Sequence, residues 1–108
     1  MKKRYWLSYD LGVGGDYAHL YQWLDDRKAV PCGNNVAYFT YEYQPGGNPD
    51  TLLKEELEQK IALKPGNILY VIRQKGDEEK TVGTYIYGKR QAAPWTGYGS
   101  VATEEDDE

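Results

Sequence analysis

From Arg4 to Leu11 the chain alternates, with Tyr5, Leu7, Tyr9 and Leu11 on one side and Arg4, Trp6, Ser8 and Asp10 on the other. A period of two with aromatic enrichment predicts a strand over 4–11, buried more on one face. Gly12-Val13-Gly14-Gly15 breaks it and Asp16 offers a helix cap. Tyr17, Leu20, Tyr21 and Leu24 then follow at helical spacing, with His19 and Trp23 flanking the stripe. This predicts a helix over 16–28 that ends on the cations Arg27 and Lys28. Ala29 to Cys32 is apolar but holds Pro31, so it can form only a brief edge strand or a connection. Beyond the Gly33-Asn34-Asn35 turn, Ala37, Phe39, Tyr41 and Tyr43 alternate with Val36, Tyr38, Thr40 and Glu42. A strand is expected over 35–43.

Asn48-Pro49 reads as a cap followed by proline at the first helical position. The helix expected over 49–62 places Leu53, Leu57 and Ile61 inward and Lys54, Glu55, Glu58 and Lys60 outward. Ile68 to Ile72 is a near-continuous apolar run, as a central strand requires, within a strand over 68–74. A charged hairpin tip centred on Gly76-Asp77 leads to a last strand over 80–87, with Tyr85 and Tyr87 on one side. Periodicity ends after Gly88-Lys89-Arg90, although Trp95 and Tyr98 point to a segment folding back onto the body.

Two amphipathic helices on one face of a four- or five-stranded sheet is the packing solution for this order. With Ala29 to Cys32 counted as a strand, the first six elements read β-α-β-β-α-β. That is a ferredoxin-like α+β domain with an extra C-terminal strand; a doubly wound parallel sheet is the alternative. Residues 1–99 form the expected single domain and 100–108 an acidic tail. The sheet face away from the helices is expected to be tyrosine-rich and too apolar to stay wet. A homodimer through that face, or through the strand from Thr81 to Tyr87, would cover it.

Composition sharpens this picture. Eleven Tyr and three Trp stand against one Phe, and aromatics with a polar tip suit half-buried faces and interfaces. The net charge of -4 is uneven: with the acidic run Glu104 to Glu108 set aside, 13 basic residues face 12 acidic ones. The body is nearly neutral, far from the basic footprint of an electrostatic nucleic-acid binder. No run approaches the ~18 apolar residues of a membrane span. One cysteine, Cys32, precludes an internal disulfide, and a cytoplasmic location is expected.

Candidate chemistry is sparse. Asp10, at the end of the first strand, is a position where a carboxylate could hold a hard cation such as Mg2+ or Mn2+; bonding to loop amides is its structural alternative. The Gly12 to Gly15 loop fails the phosphate-cradle templates, because Tyr17 replaces the third glycine and no Lys-Ser or Lys-Thr follows. His19 and Cys32 are each the sole residue of their type, too few for a Cys/His zinc site. Lys89 and Arg90 with Trp95 and Tyr98, and the Lys2-Lys3-Arg4 start, pair cations with aromatics as single-strand binding requires.

Taken together, Arg4-Tyr5-Trp6-Leu7-Ser8-Tyr9-Asp10-Leu11, the tyrosine-leucine helix, Cys32-Gly33-Asn34-Asn35-Val36 and Ile68-Leu69-Tyr70-Val71-Ile72 resemble the SinR-like small proteins. These belong to the superfamily of the CRISPR-associated integration-complex endoribonuclease-like subunits and the VapD ribonucleases. The resemblance covers about residues 4–73. It implies a ferredoxin-like homodimer in which Asp10 matches the first-strand aspartate proposed as metal ligand and catalytic group. Other members act as DNA-binding scaffolds. Asn35 stands where related sequences carry serine, and the glycine loop lacks the basic residues of nuclease members. The expectation is therefore a dimeric binding or scaffold module with a nucleic-acid or protein partner, Lys89, Arg90 and Trp95 being its contact residues. A metal-dependent endoribonuclease using Asp10 across the dimer axis is the alternative.

Overall fold

The computed structural model describes residues 1–76 and 80–99. Its elements are β1 (Lys2–Asp10), α1 (Tyr17–Asp26), β2 (Val30–Pro31), β3 (Val36–Glu42), α2 (Pro49–Lys60), β4 (Ile68–Gln74) and β5 (Thr81–Tyr87). The strands make one sheet in the order β2-β3-β1-β4-β5, and every neighbouring pair is antiparallel. β3 lies beside β1 but antiparallel to it, which removes the doubly wound parallel alternative. The chain is an α+β fold whose open antiparallel sheet fits the ferredoxin-like class. Asp77 of the expected hairpin tip and the acidic run at 104–108 lie outside the described residues.

Local chemistry sets the element ends. The Asp16 carboxylate accepts from the His19 backbone N–H at 3.3 Å and caps α1. Asn48 accepts from the Asp50 and Thr51 amides at 2.9 and 3.3 Å, ahead of Pro49. The ladder of β1 stops at Asp10, because the Leu11 N–H donates to the Tyr17 hydroxyl at 3.1 Å instead.

The core lies between the helices and one sheet face. Tyr5, Leu7 and Tyr9 of β1, Ala37, Phe39 and Tyr41 of β3, and Leu69 and Val71 of β4 meet Leu20, Trp23 and Leu24 of α1 and Leu53 and Leu57 of α2. Each fully buried leucine contributes roughly 1.5–3 kcal/mol, so packing rather than propensity holds these short helices in place.

Two details depart from the sequence pattern. α1 is rotated so that Trp23 is buried while Tyr21 is half exposed; the Trp23 indole N–H donates to Glu56 at 2.8 Å, which supplies the partner a buried tryptophan needs. In β5 a register shift beside Leu69 and Tyr70 brings Tyr87 against the core with Ile86. Tyr85 and Tyr87 therefore do not share a side.

Candidate functional site

No helix among the described residues covers the second sheet face. Alternation turns Arg4, Trp6 and Ser8 of β1 toward it, along with Tyr38 and Thr40 of β3, Tyr70 and Ile72 of β4 and Tyr85 of β5. The register sets Trp6 between Tyr38 and Ile72, and Tyr70 opposite Tyr85. Trp6 and Tyr38 approach to 4.9 Å between ring centroids, and Tyr70 and Tyr85 to 4.7 Å. Trp6 remains 41% exposed and Ile72 37%. Tyr70 lies across Gly83, where a Cβ would come within 1.7 Å of its hydroxyl oxygen.

At the end of this face where β1 begins, a groove of about 270 Å³ is lined by Lys2, Lys3, Arg4, Trp6, Tyr38, Gln74 and Gly76. Its described lining holds three cations and no carboxylate. Lys2 and Arg4 share the open face, with Glu42 opposite Lys2 and Thr40 opposite Arg4; Lys3 is in phase with Tyr5 on the helix face, where its charge helps to lower the Asp50 carboxyl. A larger groove of about 660 Å³, bordered by Tyr41, Tyr43, Leu52 and Glu55, mixes Lys2 with three glutamates. One of those, Glu56, is already held by Trp23, Arg27 and Tyr41, so this groove offers no coherent charge to a ligand.

The residues singled out from the sequence fall elsewhere. Asp10 is exposed at the far end of β1, and its Oδ1 accepts from the Gly12 amide at 3.0 Å. Lys89 and Arg90 follow β5 at that same end; Lys89 borders a shallow cleft with Gly66, Ile68 and Tyr87, and Ile68 is the β4 partner of Asp10. Trp95 and Tyr98 are 73% and 74% exposed, in a turn where the Tyr98 amide bonds the Trp95 carbonyl at 3.1 Å. Lys2 and Asp10 are separated by the length of β1, about 27 Å at the usual rise per residue. The two basic-aromatic groups therefore sit at opposite ends of the sheet and form no single patch. The glycine loop closes on itself: Gly15 donates to the Gly12 carbonyl at 3.4 Å and leaves no room for a Cβ against the Leu11 carbonyl.

Several other ionisable groups hold the helices to the sheet. Asp50 accepts Arg73 in a two-pronged pair at 2.9 Å and the Tyr5 hydroxyl at 2.5 Å. Burial opposes its charge, but the Arg73 and Tyr5 hydrogen bonds outweigh that and hold its carboxyl below the usual range. Burial, with the Asp50 carboxylate beside it, pushes the Tyr5 hydroxyl well upward. Burial and the neighbouring Glu56 charge push Tyr41 up to about 12. Glu56 also pairs with Arg27, whose guanidinium stacks 3.8 Å from the Trp23 ring centroid. Asp16 is lowered by the Ala62 amide, which reaches it at 2.8 Å, and by His19. These carboxylates are structural fasteners. Among the described residues no three His, Cys, Asp or Glu side chains converge as a metal site, and no helix is long and apolar enough to cross a membrane.

The residues that reasoning from sequence missed are Trp6, Tyr38, Tyr70 and Tyr85 as one surface. The outward phase of Trp6 and Tyr38 is visible in the alternation; Tyr70 sits in an apolar run without a phase, the bulge hides that of Tyr85, and the adjacency of all four depends on strand register. Compared with protein-family models, curated proteins and solved structures, the chain matches none.

Proposed function

We propose that the protein is a binding module of ferredoxin-like topology that works as a homodimer and without catalysis, as its resemblance to the SinR-like group implies. The observation that carries this reading is the outer edge of β5. It runs seven residues, Thr81–Tyr87, with no charge and no proline, and pairs only with β4 among the described residues. The opposite edge is the two-residue β2, blunted by Pro31. A long uncharged edge is a template for another strand, and two β5 strands paired about a two-fold axis would extend the sheet across both copies.

This assembly also bears on the enzyme alternative. With strands ~4.8 Å apart, five steps separate β1 from its mate, so the two Asp10 carboxylates would stand at least about 24 Å apart. Carboxylates that share a cation must converge within a few ångströms. Asp10 instead serves the loop that follows it.

Sedimentation at micromolar concentration should give twice the chain mass of 12.4 kDa. Amide hydrogen exchange should show protection that rises with protein concentration in β5 but not around Trp6. A species of single-chain mass, or concentration-dependent protection centred on Trp6, would overturn the edge dimer. RNA and DNA incubated with Mg2+ or Mn2+ should stay intact; cleavage that disappears in Asp10→Asn with the dimer retained would establish the nuclease instead.

A further inference from the structure

We infer that the open sheet face binds single-stranded nucleic acid, with Trp6 and Tyr38 as the base-stacking platform and Arg4 and Lys2 as the phosphate contacts. The inference rests on the reading of the chain as a binding module; it does not depend on the dimer. An edge-to-edge assembly leaves this face free.

Three observations converge on that ligand. First, the face presents paired rings rather than scattered ones: Trp6 beside Tyr38 and Tyr70 beside Tyr85. Trp6 and Tyr70 are diagonal neighbours on adjacent strands, about 7–8 Å apart, so successive bases can meet different rings. Unpaired bases stack on such side chains whatever their sequence. Second, two cations stand on this face beside Trp6 and Tyr38: Arg4 opposite Thr40, and Lys2 opposite Glu42. Other cations of the fold are already paired: Arg27 with Glu56 and Arg73 with Asp50. Arg4, beside Trp6, faces Thr40 rather than a carboxylate and suits a polyanion. Third, the ring and cation positions share a strand, with Arg4 and Trp6 two residues apart on one face of β1. A chain lying along β1 would meet charge and stacking surface in succession.

A duplex fits poorly, because its bases are already stacked and the face is a sheet with no element to enter a groove. An apolar peptide would leave Arg4 unanswered. Together these features favour a single strand, bound with little sequence preference.

The test is fluorescence anisotropy with the full chain and labelled oligouridine RNA of about twelve residues, a length spanning one single-strand site. The matching single-stranded DNA and an RNA duplex are the comparison probes. The single strands should bind and the duplex should bind more weakly. Trp6→Ala should weaken single-strand binding at least about fivefold, the loss of one stacked base. Arg4→Ala should lower the slope of log affinity against log salt by about 0.7. Trp95→Ala and the double variant Lys89→Ala/Arg90→Ala should bind as the wild type does. Thermal unfolding confirms that each variant is folded, and Trp6→Phe, which keeps a ring, should retain most of the affinity.

The inference is overturned by wild-type protein that fails to bind at low salt, or by a duplex bound as tightly. It is also overturned if affinity survives Trp6→Ala but is lost with Lys89, Arg90 or Trp95. Sedimentation and probe integrity on the same samples keep the two proposals apart: a monomer that binds through Trp6 refutes the dimer alone.

Discussion

Asp50 joins three elements through one carboxylate: it sits in the first turn of α2, pairs with Arg73 of β4 and accepts the hydroxyl of Tyr5 in β1. Arg73 and Asp50 are each only 18% exposed, so solvent screens the pair weakly. Asp50→Asn keeps the shape but weakens both partners, and should cost about 2 kcal/mol, the range for hydrogen bonds to a charged group. The sign with pH follows from the lowered carboxyl. Its contribution is complete above the unfolded value of about 3.9 and is lost as pH falls through the folded value. Urea unfolding should therefore show a gap between wild type and variant that is widest near neutrality and closes in acid. A gap of constant size would show that the charge of Asp50 is not what stabilises the fold. Asp16, lowered chiefly by the Ala62 amide, should leave the variant with some acid sensitivity of its own.

The sheet elements owe their face-to-face difference to small choices at single positions. Gly83 leaves room for the Tyr70 ring to cross β5 and meet Tyr85. Gly83→Ala should displace that ring and cost about 1 kcal/mol, toward the low end for overpacking because a side-chain tip can yield. In a Tyr70→Ala background the same substitution should be nearly neutral, and a double-mutant cycle measures this coupling directly. Equal costs in both backgrounds would mean that Gly83 is needed for its backbone alone. This pairing also marks where sequence legibility ends. The phases of β1 and β3 followed from period-two alternation, β4 was legible only as a near-continuous apolar run without a phase, and the cap at Asn48-Pro49 located the start of α2. The rotation of α1 was hidden because Glu56, the partner that allows Trp23 to be buried, lies 33 residues away. The shift in β5 was hidden because a bulge leaves no mark on the alternation of Thr81–Tyr87. For the site, Arg4 and Trp6 had the right phase, but only the register sets Tyr38 beside them. Lys89, Arg90 and Trp95 carry suitable chemistry at the other end of the sheet.

Charge acts over the whole molecule. The net charge of -4 combines a body with one excess cation and the five acids at 104–108. A polyanion approaching Lys2 and Arg4 meets the field of all these charges, which falls off over roughly 10 Å at moderate salt. Deleting residues 104–108 removes five negative charges without touching the described fold. The shortened chain should bind oligouridine more tightly than the full chain at low salt. Because the term is electrostatic, the advantage should shrink as salt rises and vanish near 1 M, where screening is complete within about 3 Å. Anisotropy titrations of both chains across a salt series provide the measurement. An advantage that persisted at high salt would mean that residues 104–108 oppose binding by something other than their charge. No advantage at any salt would confine the binding energetics to Trp6, Tyr38 and the cations beside them.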